Sequence, residues 1–298
     1  MADGREAPFE VIDEITSYLR PVPSNYRIPD KHDLLACSLV SKTWCAASRP
    51  HLFREVTHSL GTATSDGSTT RKTLSSLISF LREHRYISSW LRELRLTERF
   101  ELEKPGEYSE IHIGLLHELL QHLPSLRRLR LVDVLFVSIP GSHPSAKHFG
   151  SLDELHINYT DEFSPHSSRG NLHLDLLVIL CSFHSIQKLF LTCVPWDSVA
   201  DPNIPNSNVT TTALLRIPEL GICGPDREVT HFHSILPRLL DLSATRVLTF
   251  VSDTWAQHAP LLQQFSPSVE ELYLSPVNWW DWLGLTTKQT PSSPASKD

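Results

Sequence analysis

LRELRL at residues 91–96, LRRLRL at 126–131, LDELHI at 152–157 and IQKLFL at 186–191 share one pattern. An apolar residue recurs at offsets of 0, 3 and 5. Looser copies follow as IPELGI at 217–222, TRVLTF at 245–250 and VEELYL at 269–274. Five residues correspond to about 500° of helical rotation, so offsets of 0, 3 and 5 share no helical face. The last two apolar positions are two residues apart and fit one side of a β-strand. The central apolar positions are 94, 129, 155, 189, 220, 248 and 272, a mean spacing of roughly 30 residues. Between copies lie helix-like segments: LSSLISFLREH, LLHELLQHL, LDLLVILCSFH and WAQHAPLLQQF. Helix then strand, repeated, reads as an α/β solenoid, a curved parallel sheet with helices on its convex side.

If the central leucines point inward, their strand neighbours form an outward ladder of Arg95, Arg130, His156, Phe190, Gly221, Thr249 and Tyr273. A flanking ladder holds Glu93, Arg128, Glu154, Lys188, Glu219, Val247 and Glu271. Both charge signs with isolated aromatics suit a protein or peptide partner better than a nucleic acid, which requires a uniformly basic footprint. The formal net charge of −7 points the same way. For any single residue on this face, plain solvation is the competing reading.

Outward from the repeats, the chain divides into four regions. Residues 1–56 carry two amphipathic helical patterns. Residues 57–73, THSLGTATSDGSTTRKT, read as a linker because large apolar residues are almost absent. The repeats occupy 74–283, and the Pro/Ser-rich 284–298 reads as a disordered tail. In the N-terminal region Pro8 marks a helix start. Val11, Ile12, Ile15 and Leu19 form an apolar stripe, and Pro21 and Pro23 end it. A second helix is expected from about Asp33, with Leu35 and Leu39 on one face and Ala36, Val40 and Trp44 on the next. Two short helices cannot close a core alone, so part of this surface must meet the rest of the chain or a partner.

The stretch PFEVIDEITSYL, then DLLACSLVSKTW, then HLF, spanning Pro8 to Phe53, resembles the F-box. The repeats resemble the divergent leucine-rich repeats that follow F-boxes, as in fungal-type proteins. The resemblance implies a substrate-recognition adaptor of a cullin–RING ubiquitin ligase. The N-terminal helices would bind a Skp-family adaptor and the repeats a client protein, in the cytoplasm or nucleus, without catalysis or cofactor. By position, Pro8, Val11, Ile12, Ile15, Leu34, Leu35, Val40 and Trp44 match residues that pack the F-box or touch the adaptor. Pro8, Ile12, Leu35 and Val40 are the expected contacts. On the repeats, Arg95, Arg130, His156, Phe190 and Tyr273 are the expected client-facing residues. The chain departs from the pattern at Ala7, where the family has leucine, and in a longer loop over 20–32. The asparagine that usually follows each repeat strand is replaced by Arg99, Val134, Thr160, Val194, Pro225, Asp253 and Val277. Without its side-chain ladder, uneven turns are expected.

Other readings remain open at this point. The N-terminal helices could cap a repeat array, which needs its terminal faces shielded. The chain could be a leucine-rich-repeat interaction scaffold with no ubiquitin role. An enzyme would need a site assembled from distant residues, because GxSxG, GxxxxGK[ST] and HExxH are all missing. Five scattered cysteines without a CxxC pair indicate neither zinc nor a disulfide framework and fit a reducing compartment. No signal-like segment or membrane span is expected; the longest apolar run is 176–181. The cluster NWWDWL, 278–283, reads either as an end cover or as a hot-spot surface carrying Trp279, Trp280 and Trp282.

Overall fold

A computed structural model describes residues 7–19, 31–60, 73–98, 110–132, 134–137, 149–158, 172–192, 215–223, 236–237, 240–251, 255–265 and 267–275. The chain forms two compact units, one built from the N-terminal helices and one spanning Phe53–Ser275.

The first unit contains α1 (Phe9–Tyr18), α2 (His32–Ser38) and α3 (Lys42–Leu52). Pro8 sits at the N-cap of α1, and its carbonyl accepts from the amides of Val11 and Ile12. The second half of the motif is two helices, where one was expected. The hydroxyl of Ser41 accepts from the amide of Trp44 at 3.3 Å, and its carbonyl accepts from Cys45. Such local capping restarts the chain as a new helix, so Trp44 does not share a helix with Leu35. Ile12, Leu34 and Ala47 form the buried centre, with Thr16 and Ser48 tied to carbonyls of their own helices. His51 Nε2 lies 3.0 Å from Asp13 Oδ1, joining α3 to α1. Lys31 Nζ donates to the Leu52 carbonyl at 2.6 Å, placing positive charge at the end of α3, where the helix dipole favours it.

The second unit is an open, fully parallel sheet of eight strands in chain order. These are β1 (Glu55–Leu60), β2 (Glu93–Glu98), β4 (Arg128–Val132), β6 (Leu152–Asn158), β7 (Ile186–Thr192), β8 (Glu219–Cys223), β9 (Val247–Val251) and β10 (Glu271–Ser275). The register joins Leu94, Leu129, Leu155, Leu189, Leu220, Leu248 and Leu272, the seven positions that the 0, 3, 5 pattern picks out. A second, two-stranded parallel ribbon pairs β3 (Glu110–His112) with β5 (Leu135–Val137).

Helices α4 (Leu74–Glu83), α5 (Arg85–Trp90), α6 (Ile113–Gln121), α7 (Leu172–Cys181) and α8 (Trp255–Phe265) lie between the strands in sequence. Leu77 and Leu81 of α4, Leu116 and Leu120 of α6, Leu176 and Leu180 of α7, and Leu261 and Phe265 of α8 are buried four residues apart. They share one core with the strand leucines, which places these helices over the apolar side of the sheet. Each fully buried leucine contributes on the order of 1.5–3 kcal/mol. Thr73 starts α4 by accepting from the Ser76 amide at 3.2 Å. His117 of α6 meets the Ser182 hydroxyl at 2.7 Å, and that hydroxyl donates to the Val178 carbonyl. The hydroxyl proton is thereby committed, so His117 donates through Nε2–H. This buried polar link ties α6 to the end of α7.

Two sequence expectations change here. Residues 57–60, expected in the linker, belong to β1, which pairs with β2 along its whole length. Val56 and Leu60 stand in register with Leu94 and Glu98, and Leu60 is buried. The repeating strands therefore number eight among the described residues, one more than the seven visible copies.

Candidate functional site

Two surfaces stand out: the outside of the helical unit and the polar side of the sheet. On α1, Val11, Ile15 and Tyr18 follow at i, i+4 and i+7 and are exposed, and Phe9, on another side of the helix, is exposed as well. On α2 and the turn after it, Leu35, Leu39 and Val40 are exposed, Leu39 at 86% and Val40 at 66%. The helices split adjacent apolar residues. Ile12 is buried while Val11 is exposed, and Leu34 is buried while Leu35 is exposed. The apolar stripe is too wide for three short helices to cover, so one half packs and the other faces solvent.

This sorts the expected adaptor contacts. Pro8, Val11, Ile15, Leu35 and Val40 are exposed, and Trp44 is half-buried on α3. Ile12, an expected contact, is instead buried at 0% exposure in the centre of the unit, and Leu34, also at 0%, takes the packing one of its two readings. Phe9, Tyr18 and Leu39 join the exposed set. Sequence reasoning left out Phe9 and Tyr18, although Tyr18 continues the Val11–Ile15 spacing.

On the sheet, Glu93 of β2 faces Arg128 and Arg130 of β4. Arg128 Nη1 is 3.3 Å and Arg130 Nε 3.4 Å from the Glu93 carboxylate. Arg130 also reaches Glu154 of β6 at 3.1 Å. The register sets Glu93 and Glu154 opposite Arg128, and Arg130, opposite Arg95 and His156, reaches both carboxylates diagonally. His156 follows, with Nε2 at 3.3 Å from the Thr192 hydroxyl and its ring edge-on to Phe190 at 6.0 Å. Burial, then the positive charges of Arg130 and Arg95, lower the His156 pKa from 6.5 to about 3, so the ring is neutral at ordinary pH. Phe190 lies over Gly221 of β8, where a Cβ would stand 2.2 Å from the Phe190 ring. Further along, Lys188 pairs with Glu219 at 2.5 Å, and the Tyr273 hydroxyl donates to Glu271 at 2.7 Å. That hydrogen bond, then the Glu271 charge, raises the Tyr273 pKa.

The expected client-facing residues therefore separate. Tyr273 is exposed, and Arg95 and Phe190 are half-buried. Arg130 and His156 are corrected: both are buried, one in an ion-pair cluster between two carboxylates and the other against Phe190 and Thr192. They shape this face from beneath. Glu93, Arg128 and Glu154, in the flanking ladder, complete the cluster. The NWWDWL cluster and the positions Arg99, Thr160, Val194, Pro225, Asp253 and Val277 lie outside the described residues.

Among the described residues, no group of three His, Cys, Asp or Glu side chains could hold a metal, and no helix is long and apolar enough to cross a membrane. Cys181 is half-buried, and burial raises its thiol pKa, which disfavours the reactive thiolate. Compared with protein-family models and with curated proteins, the chain matches none.

Proposed function

We propose that this chain is an F-box-type adaptor whose three N-terminal helices dock on a Skp-family protein of a cullin–RING ubiquitin ligase. In this reading the sheet unit is a divergent leucine-rich-repeat solenoid that holds a client protein. The observation that carries the proposal is the exposure of Val11, Ile15 and Tyr18 along α1, and of Leu35, Leu39 and Val40 on and after α2, on a unit that buries only a small centre. Large apolar side chains left exposed in such groups mark an interaction site. The sequence pattern from Pro8 to Phe53 names the class of partner.

The client surface in this reading is the exposed part of the polar sheet face. Lys188, Tyr273 and half-buried Phe190 are its accessible anchors, above the ion-paired Glu93–Arg130–Glu154 cluster. Mixed charge and scattered aromatics suit a protein client.

The test is direct binding of the purified full chain to a Skp-family adaptor by calorimetry. Leu39→Ser with Val40→Ser should weaken binding at least tenfold, roughly 1.4 kcal/mol, with the melting temperature little changed. A folded chain that shows no binding at micromolar adaptor concentration removes the ubiquitin-ligase role and leaves a repeat-based interaction protein.

A further inference from the structure

The two edges of the sheet differ in kind. Through the interior strands, the two core-facing positions are almost completely enclosed. Leu248 and Phe250 of β9 are each 1% exposed. Their register partners on β10, Leu272 and Leu274, are 49% and 51% exposed. At the other edge, β1 presents Val56, His58 and Leu60 at the corresponding positions; all three are at least half-buried, and His58 Nε2 meets the Thr73 carbonyl at 3.3 Å. Among the described residues, the sheet is enclosed at β1 and ends at β10 with its core-facing leucines half-exposed.

The backbone of β10 is also available. The Glu271 amide donates to the carbonyl of Arg246, the residue just before β9. In a parallel ladder the residues alternate, so Glu271, Tyr273 and Ser275 turn their backbone groups to β9. Leu272 and Leu274 turn theirs outward. An edge with open N–H and C=O groups and apolar side chains is a template for another strand, and β10 has neither lysine nor proline to deter one.

We propose that β10 pairs antiparallel with β10 of a second copy of this chain about a two-fold axis at Tyr273. That register is self-complementary. Leu272 of each chain faces Leu274 of the other as a hydrogen-bonded pair, using the outward backbone groups. The two Tyr273 residues meet as the non-hydrogen-bonded pair between them. Glu271 faces Ser275 of the second copy, which keeps the two carboxylates apart. With the axis perpendicular to the sheet, both copies keep their apolar sides on the same side, and the exposed leucines of each bury those of the other. Head-to-tail addition of β10 to β1 is disfavoured. In the register that β1 keeps with β2, it would set Glu271 beside Glu55 and Leu274 against His58. It would also generate an open filament, whereas the two-fold contact closes.

Sedimentation velocity of the full chain over a micromolar concentration series tests this. The expected result is a reversible species of twice the chain mass. Leu274→Pro removes only an outward amide at an already extended edge position, so it should weaken self-association at least tenfold while circular dichroism and melting stay near those of the parent. Tyr273→Cys should cross-link into a covalent dimer under mild oxidation. Glu271→Cys and Ser275→Cys should cross-link when mixed and not when alone. A chain that stays monomeric throughout overturns the proposal. So does a dimer that Leu274→Pro leaves intact, or a Tyr273→Cys chain that cross-links no more than the parent. None of these outcomes bears on adaptor binding by the helical unit.

Discussion

In the sheet unit, neighbouring residues divide cleanly: Leu129 faces the helices and Arg130 the opposite side, and both are buried with partners suited to them. In the helical unit, neighbours of the same apolar character divide instead, Ile12 and Leu34 inside, Val11 and Leu35 outside. In the sheet unit, Leu77, Leu116, Leu176 and Leu261 of four helices share one buried core with the strand leucines. The helical unit has three helices of 10, 7 and 11 residues and more apolar surface than they can enclose. The interior of the sheet is satisfied by its own chain; the helical unit leaves an unsatisfied surface along α1 and α2. The contrast gives the same substitution opposite meanings in the two places.

The largest effect expected from breaking this contrast lies in the buried ion cluster. Arg130→Ala leaves Glu93 and Glu154 facing a lost guanidinium in a shielded site. Removing one member of a buried pair costs about 3–5 kcal/mol, with the lower end expected here because Arg128 still reaches Glu93. The corresponding change in the helical unit, Asp13→Asn beside His51, should cost less than about 1 kcal/mol because Asp13 is half-exposed. Denaturant unfolding of the two variants measures both.

A leucine pair sharpens the same point. Leu155→Ala empties a fully enclosed position in the middle of the sheet and should destabilise by about 2–5 kcal/mol. Leu39→Ala, on an 86% exposed side chain, should stay within about 0.5 kcal/mol of the parent. Equal losses in thermal unfolding would mean that Leu39 is covered in solution, which would undo the docking surface.

Much of the sheet was legible because its signal repeats. Offsets of 0, 3 and 5 exclude a helical face, and seven copies fixed the register from Leu94 to Leu272. Strand β1 escaped because its core position opposite Leu96 is His58, which breaks the alternation, and because Thr57 and Ser59 read as linker composition. The break before α3 escaped because the spacing from Ala36 to Trp44 continues smoothly through a helix restart capped by one serine hydroxyl. The candidate site was harder to read. Periodicity tells which side of a strand a residue occupies, not how deeply it lies there. Arg130 and His156 were placed on the correct ladder, yet cross-strand ion pairs and a neighbouring aromatic bury them. In the helices, the stripe showed that both Val11 and Ile12 are apolar but not which of them the third helix would cover.

Gly221 is the point on the polar face where depth was set by a missing side chain. The ring of Phe190 occupies the space a Cβ would need. Gly221→Ala must push the ring aside and should cost about 1–3 kcal/mol, the range for overpacking. Phe190→Leu in the same background should recover part of that loss, because it removes the obstructing ring. If Gly221→Ala alone melts like the parent, the ring is mobile and the contrast between an ordered sheet face and an open helical surface weakens.

A last expected effect is a pH dependence that belongs to the sheet unit. Unfolded, His156 takes up a proton near pH 6.5; folded, it stays neutral down to about pH 3. Between those values the unfolded chain binds more protons, so stability falls as pH falls, by about 1.4 kcal/mol per pH unit from this residue. Above pH 6.5 both states hold it neutral and the contribution is flat. Carboxylates also titrate in this window, so the informative quantity is a difference. His156→Gln can keep a hydrogen bond to Thr192 and has no proton to gain. Its unfolding free energy, followed from pH 6 to pH 4, should decline less steeply than that of the parent by about that slope. Parallel curves would mean that His156 is reached by solvent and protonates in the folded chain. The polar face would then be as open as the helical surface, and Arg130 and His156 would return to the set of residues a client can touch.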